Sequence, residues 1–518
     1  MARSPRASGG SLTCDLFSPG MTSIHRVGLA GLWMTVDSLQ KQGWKATDSG
    51  STITASDTFV RFEWRGDGEA FFAEFLKAAF QIHVTGLFHF PGIGDPLDHP
   101  GHAVILQDAI LGTVLQHGQT RKAEAAKEGT GAVTVEIDDQ PEILSFRRLS
   151  CYAHQNSGFN PSNSTRLAGW QYPGGVERHV AHGQVTKLEE PPERALPLLF
   201  LPVGAIFFQI NRRSAGIRPQ YAMVIPELMN LRGYARARRH LLRFGVSQLQ
   251  AGGTGVAALR VMTELRAAGV MPDLGCTGCR VLAFGTVPWG KQQKTRLEVF
   301  DVGETAPAVF EIFRFCENVL PARYVRREGK PSFWAVPQVP GLVARNLIRS
   351  LPWWSGFADF VADADTREAV YGFEKGGLHQ MVTDEATLPD SPERVFVGAC
   401  HEAWRRRMAQ IGDKARRENS NFTKQVQREF IRLRSAFSRS KNAVAIREVV
   451  TDFWVRGGPN SVLQDRWADV LKLFTPENWK SARDLALLAL ASYKAATPVE
   501  QAALEAAAET DKFTGEIE

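Results

Sequence analysis

The stretch Asp15–Val36, DLFSPGMTSIHRVGLAGLWMTV, constrains this chain more than any other. Ser18-Pro19-Gly20 breaks the backbone, and Thr22 or Ser23 then offers a side-chain oxygen to cap a helix. From Ile24 the apolar residues Val27, Leu29, Leu32, Trp33 and Val36 carry that helix to about Gln42, where Gly43 can end it. Gly28, Ala30 and Gly31 leave one side nearly bare, so another backbone can approach it closely. A glycine inside a helix costs about 1 kcal/mol against alanine, so two within one turn imply either tight packing or a ligand. His25 and Arg26 fall in the first turn, beside amide N–H groups that favour a phosphate. The competing reading is a buried helix whose glycines serve packing alone.

The rest of the chain is long enough, at 518 residues, to bury about two or three separate cores. A net charge of +6 is modest for that size, so where the charge sits matters more than its sum. The most apolar run, Leu196–Ile210, is broken by Pro197 and Pro202 and is too short to span a bilayer. Residues 1–14 are basic and small without an apolar centre, which reads as a flexible arm and not a signal peptide. No membrane segment is expected, and a cytoplasmic location with reduced thiols follows for the six scattered cysteines.

Thr58–Trp64 alternates like a half-buried strand, and Glu69–Ile82 places Phe71, Phe72, Phe75, Leu76 and Ala79 at helical spacing. His89, Asp95, Asp98, His99 and His102 are of metal-ligand type, but the glycines and prolines between them mark a turn-rich loop without a ligand spacing. No metal site is assigned; histidines leading into a helix at Ala103–Gln116 explain the pattern. Val133–Ile137 and Ile143–Ala153 read as paired strands. His154–Gly175 is a long polar loop whose Asn156 and Asn160 could touch base edges while Phe159, Trp170 and Tyr172 stack; a solvated loop is the alternative. Leu198–Ile210 reads as one buried strand, ending in Arg212 and Arg213.

Leu228–Phe244 then reads as a helix on which Arg232, Arg236 and Arg239 share a face, continued by Arg243, with Arg238 beside it. No acidic residue is interleaved, so the face makes most sense opposite a polyanion. Cys276 and Cys279 form a lone C-x-x-C, taken as a small buried thiol pair. Arg280–Val287 and Thr295–Val302 are strands joined by Pro288–Lys294, whose tip carries Trp289, Lys291, Gln292, Gln293 and Lys294. That tip is either an edge hairpin kept soluble by lysines, or a probe combining phosphate, base-pair and stacking contacts. Beyond a turn-rich boundary at Gly372–Pro392, Glu393–Lys494 reads as helix throughout. Between His401 and Lys480, seventeen Lys and Arg face nine Asp and Glu. The surplus exceeds the charge of the whole chain, so the remainder is close to neutral. Phe422, Val426, Phe430, Leu433 and Phe437 form a bundle stripe, and Arg416, Arg417, Lys424 and Arg428 lie on other faces, as backbone-phosphate candidates with Arg26. Residues 495–518 are Ala/Glu-rich and read as a disordered acidic tail.

The expected fold is α+β: a mixed α/β body over 15–385 and a separate all-helical bundle over 393–494. No Walker-type phosphate loop, G-x-S-x-G, H-E-x-x-H or HNH-like cluster is present, so the chain reads as a binding subunit, not an enzyme, with no cofactor.

H-R-V-G-L-A-G-L near the N-terminus, the hairpin F-G-T-V-P-W-G-K-Q-Q-K-T-R and the basic helical C-terminus together resemble the large subunit of type I CRISPR Cascade complexes, the Cas-eight family, in particular the group labelled Cmx or type I-MYXAN. The resemblance covers most of the chain. It implies partners: a CRISPR guide RNA, target double-stranded DNA, the backbone, handle-binding and small subunits of the complex, and a helicase–nuclease effector. It also implies recognition of the protospacer-adjacent motif and opening of the duplex, with Gln292 or Gln293 as the wedge. The C-terminal bundle resembles the small subunit of such complexes, and Met381 or Met408 could start a separately translated copy. Two alternatives stay open. One is a metal-dependent nuclease centred on His89, Asp95, Asp98, His99 and His102; the other is a stand-alone duplex-binding regulator.

Overall fold

In the computed structural model, residues 9–47, 50–113, 129–149, 159–167, 189–210, 220–271, 277–286, 294–329 and 332–494 are described. In chain order the first part contains β1 (Gly10–Asp15), α1 (Ser23–Lys41), β2 (Thr52–Ala55), β3 (Phe59–Trp64), α2 (Gly68–Ala79), α3 (Pro100–Thr113) and the hairpin β4 (Thr130–Ile137) with β5 (Gln140–Arg147). There follow α4 (Pro192–Leu199), α5 (Leu201–Gly204), β6 (Ile206–Ile210), β7 (Gln220–Pro226), α6 (Leu231–Leu241), β8 (Gln250–Ala251), α7 (Thr254–Ala267), β9 (Cys279–Thr286) and β10 (Lys294–Val302). The second part is helical: α8 (Pro307–Val319), α9 (Val339–Ile348), α10 (Phe357–Phe360), α11 (Ala364–Gly372), α12 (Lys375–Thr383), α13 (Pro392–Arg417), α14 (Phe422–Arg439), α15 (Ala443–Gly457), α16 (Trp467–Leu471) and α17 (Trp479–Ser492). The α+β class expected from the sequence is the class observed.

The described residues fall into two compact units, one from 1–310 and 322–336, the other from 311–321 and 337–518. Among them no helix is long and apolar enough to cross a membrane.

In the first unit, α1 starts after Thr22 and is buried along most of its length. Its glycines serve packing. A Cβ on Gly28 would overlap the Pro197 carbonyl, one on Gly31 the Phe200 carbonyl, and one on Gly204 the Val27 carbonyl, so α1 lies backbone-on-backbone against α4 and α5. His25 points inward. Its Nδ1 accepts from the Thr22 N–H at 3.3 Å and lies 2.7 Å from the Thr22 hydroxyl. Burial, helped by Arg194, lowers its pKa to about 4, so a neutral ring closes the first turn where the sequence suggested a phosphate ligand.

The run expected as one strand over Leu198–Ile210 is a correction: only Ile206–Ile210 is extended, and the preceding residues form α4 and α5. Pro197 and Pro202 lack the N–H that a central strand must donate, whereas buried helical turns satisfy the same apolar residues. Residues 10–14, expected within a loose arm, instead belong to β1, which pairs antiparallel with β3 from Gly10↔Trp64 to Asp15↔Phe59. β2 covers the other side of β3. Phe62 and Trp64 of β3 meet Phe71, Phe72 and Phe75 of α2 in tilted and edge-on contacts, with Trp64 stacked on Phe71, and Phe75 reaches Phe200, which ties this sheet to the α4–α5 turn.

The central sheet has the order β8-β6-β7-β9-β10. All pairs are antiparallel except β6 with β8, and β9 slips its register against β10 at Ala283/Phe284. Gln220–Pro226 is buried at every position, as a central strand requires.

In the second unit α13 packs against α15 and α17 around Phe396, Trp404, Phe453 and Trp454. Ser391, Asn421 and Asn442 cap α13, α14 and α15, each accepting from an N–H three residues on. Two buried carboxylates do the same across elements. Glu374 accepts from the Gln338 and Val339 N–H groups at 2.8 Å, and Asp484 accepts from those of Gly356 and Ala358 at 2.8 and 2.9 Å.

Candidate nucleic-acid interface

Helix α6 explains how the arginine face is built. Leu231, Tyr234, Ala235, Ala237 and Leu241 are buried, which turns Arg232, Arg236 and Arg239 outward at helical spacing. The helix packs on α1, and the two line a cleft of about 330 Å³ with Trp33, Asp37, Gln40, Lys41, Arg232, Arg236 and Arg239 in its walls.

The guanidiniums are not left unpaired, as the absence of acidic residues on their own helix had suggested. Arg239 Nη2 donates to Asp37 Oδ2 at 2.6 Å, Lys41 Nζ donates to the same oxygen at 2.8 Å, and Arg232 lies 3.0 Å from Asp57. Burial alone would raise the Asp37 carboxyl, but hydrogen bonds from Lys41 and Arg239 outweigh it and hold the group below its usual range. Arg236 is exposed and forms no ion pair among the described residues. Four cations therefore line the cleft with one carboxylate. Exposed pairs of this kind contribute about 0–1 kcal/mol, so a phosphate can displace Asp57 at little cost.

Lys41, Trp33 and Gln40 were missed in the sequence, where the glycines of α1 dominate. The signal was the Asp37/Lys41 pair at i,i+4. Trp33 Nε1 donates to the Ser56 carbonyl at 2.8 Å and Gln40 Nε2 to that of Ile53 at 2.8 Å, so both are positioned by the β2–β3 region.

Arg238, read as flanking the same face, is fully buried instead, and none of its three guanidinium nitrogens has a hydrogen-bond partner. Burial lowers its pKa to about 10. Arg243 is exposed in the turn after α6, and Arg26 is half-buried on α1 with an enclosed, unpartnered Nε. The amide of Asn160 is engaged within the fold: Nδ2 donates to Glu69 on α2, and Oδ1 accepts from the Ser162 N–H at 2.8 Å. Reading a base edge would require Asn160 to give up one of these.

Trp289, Lys291, Gln292, Gln293, Asn156, Arg212, Arg213 and Cys276 lie outside the described residues. The strands that carry the expected tip are described: β9 and β10 pair out to Thr286↔Lys294.

In the second unit Arg416 pairs with Asp413 at 3.1 Å, Arg417 Nε donates to the Asp413 carbonyl at 3.3 Å, and Lys424 and Arg428 are exposed. Nearer the bundle centre the cations interlock: Glu402 accepts from Arg405 and Arg406, and Glu429 from Arg407 and Arg432. Four of the arginines are thereby paired with two carboxylates across α13 and α14, while Lys424 and Arg428 stay exposed.

His89, Asp95, Asp98, His99 and His102 do not converge. Asp95 Oδ1 accepts from the Leu97 N–H at 2.8 Å, His102 is buried in α3, and among the described residues no three His, Cys, Asp or Glu side chains are placed to hold a metal ion.

Comparison with known proteins finds family matches on two separate stretches of the chain. Residues 13–199 match the DevT N-terminal domain family and residues 385–518 match the DevT C-terminal domain family. The chain is also similar, at 29% identity over 93% of its length and 88% of the relative's, to the CRISPR-associated protein Cas8a1/Csx13 of Myxococcus xanthus (strain DK1622).

Proposed function

We infer that this chain, CRISPR-associated and of the Cas8 type by its similarity, is the large subunit of an RNA-guided surveillance complex of the Cmx or type I-MYXAN kind. In that role base pairing with the guide reads the long target, and protein reads only a short adjacent motif and the backbone. The observation that carries the reading is the cationic cleft of α1 and α6, where Lys41, Arg232, Arg236 and Arg239 converge from two helices on one space. A guanidinium and an ammonium spaced by a shared carboxylate, with two more guanidiniums beside them, suit phosphate oxygens and carry no sequence information.

Inspection is assigned to the loop between β9 and β10. Trp289 would stack, Lys291 and Lys294 would hold phosphates, and Gln292 or Gln293 would enter the duplex. Asn156 stands as a base-edge contact and Arg212 and Arg213 as backbone contacts. The basic bundle of 393–494, with Arg416, Arg417, Lys424 and Arg428, would lie along a strand as a small subunit does. Guide RNA, target duplex, sister subunits and a helicase–nuclease are the partners of this reading, and the subunit itself cuts nothing.

The test is the triple substitution R232A/R236A/R239A in the assembled complex. Each duplex phosphate contact contributes about 0.9 to the slope of log affinity against log salt, so the slope should flatten by about 2–3 with equal loss on all sequences. An unchanged slope rejects the cleft. Sequence-specific binding by the purified chain without guide RNA would favour a stand-alone regulator. Separately, Q292A/Q293A should impair duplex opening while leaving binding to pre-opened target intact.

A further inference from the structure

The second unit holds another cleft, of about 320 Å³, which the reading above does not use. Arg434, Ser435, Ser438 and Arg439 occupy one stripe of α14, and Arg367 of α11 and Arg483 of α17 complete its walls. Against four guanidiniums stands one lining carboxylate, Asp359, which Arg483 Nη2 meets at 3.2 Å. Arg483 is 16% exposed, and its Nε is enclosed without a hydrogen-bond partner. Arg434 and Arg439 form no ion pair among the described residues. Arg367 is held by the Val361 and Ala362 carbonyls. Asp484, buried beneath, fixes the backbone of this wall through the Gly356 and Ala358 N–H groups.

We propose that this cleft binds the phosphodiester backbone of a nucleic-acid strand, independent of base sequence. Four guanidiniums against one exposed carboxylate, with two hydroxyls on the same stripe, leave an excess of positive charge that suits a polyanion, and serine hydroxyls donate to phosphate oxygens as readily as to carboxylates. Among the described residues no aromatic side chain lines the cleft, Trp479 lying instead against the Arg483 guanidinium at 5.6 Å, and the apolar floor of Ala358, Val361 and Ala362 has no group to read a base. The inference rests on the proposed function for its class of ligand and adds to the exposed cations of α13 and α14 a defined cleft that also draws on α11 and α17.

The full chain is titrated into two labelled single strands of unrelated sequence across a salt series. A single-strand phosphate contact contributes about 0.7 to the salt slope, so R434Q/R439Q should flatten it by about 1.4 on both sequences. D359N should tighten binding roughly twofold at low salt, a gain that misfolding cannot produce. An unchanged slope in R434Q/R439Q, or a loss confined to one sequence, overturns the proposal. If R232A/R236A/R239A weakens binding and R434Q/R439Q does not, this inference falls and the proposed function stands; if neither does, both fall.

Discussion

In the first unit the carboxylate among the arginines sits at the centre: Asp37 is 18% exposed and accepts from both Lys41 and Arg239. In the second unit it sits at the rim, where Asp359 is 82% exposed and meets Arg483. An enclosed carboxylate sets the spacing of the cations around it, whereas an exposed one mainly lowers the local charge. Two helical glycines, Gly28 in the first unit and Gly412 in the second, differ as well. Gly28 faces a carbonyl, so its missing Cβ is what lets the helices meet; Gly412 on α13 has its nearest outside neighbour, Phe422, at 3.6 Å from where a Cβ would stand.

The comparison is most exposed to failure at Gly28. G28V should cost the first unit about 3 kcal/mol or more, measured by chemical denaturation, because backbone cannot step aside as a side chain can. A wild-type melt would show the packing to be looser than described.

Next in size is pH. His25 in the first unit and His401 in the second are both pushed to about 4, His25 by burial and Arg194, His401 by burial with His379 and Lys375 adding to it. Between the ordinary value of 6.5 and about 4 the unfolded chain takes up a proton that the folded ring refuses, so stability rises with pH and is lost on acidification through that window. At pH near 4.5 each ring accounts for about 2 kcal/mol of that loss. H401Q should remove the second unit's share and H25Q the first's; identical acid profiles in both variants and wild type would count against the buried neutral rings.

Smaller still, D37N should lose about 1–2 kcal/mol while D359N stays within about 0.5 kcal/mol of wild type. Equal effects would erase the distinction between anchor and rim. Smallest is G412A, expected to stabilise α13 by about 0.5–1 kcal/mol, the opposite sign to G28V.

Local patterns were readable and distant ones were not. The limits of α1 and the bare side at Gly28 and Gly31 follow from capping residues and periodicity within one stretch. The apolar run ending at Ile210 misled because hydrophobicity marks burial without distinguishing strand from helix, although Pro197 and Pro202 carried the distinction. The partner of Arg239 could not be read, since Asp37 lies 202 positions earlier. Arg238 shows the same limit from the other side, as spacing along a helix gives the face but not what covers it. The second cleft draws its arginines from three helices, and only folding brings Arg367, Arg434 and Arg483 together.

The hairpin of β9 and β10 has a mechanical consequence. Residues 279–284 of β9 are bonded to β7 on one side and, across the slip at Ala283/Phe284, to β10 on the other, while Gly285 and Thr286 are bonded to β10. A pull along the strand beyond Thr286 therefore loads two ladders in shear, many bonds at once, and cannot peel them singly. α7 lies against β9 and α3 against β6, so the same pull is passed into the middle of the first unit. A load applied at Thr286 is thus borne by the sheet and its covering helices together, not by a single pair of strands.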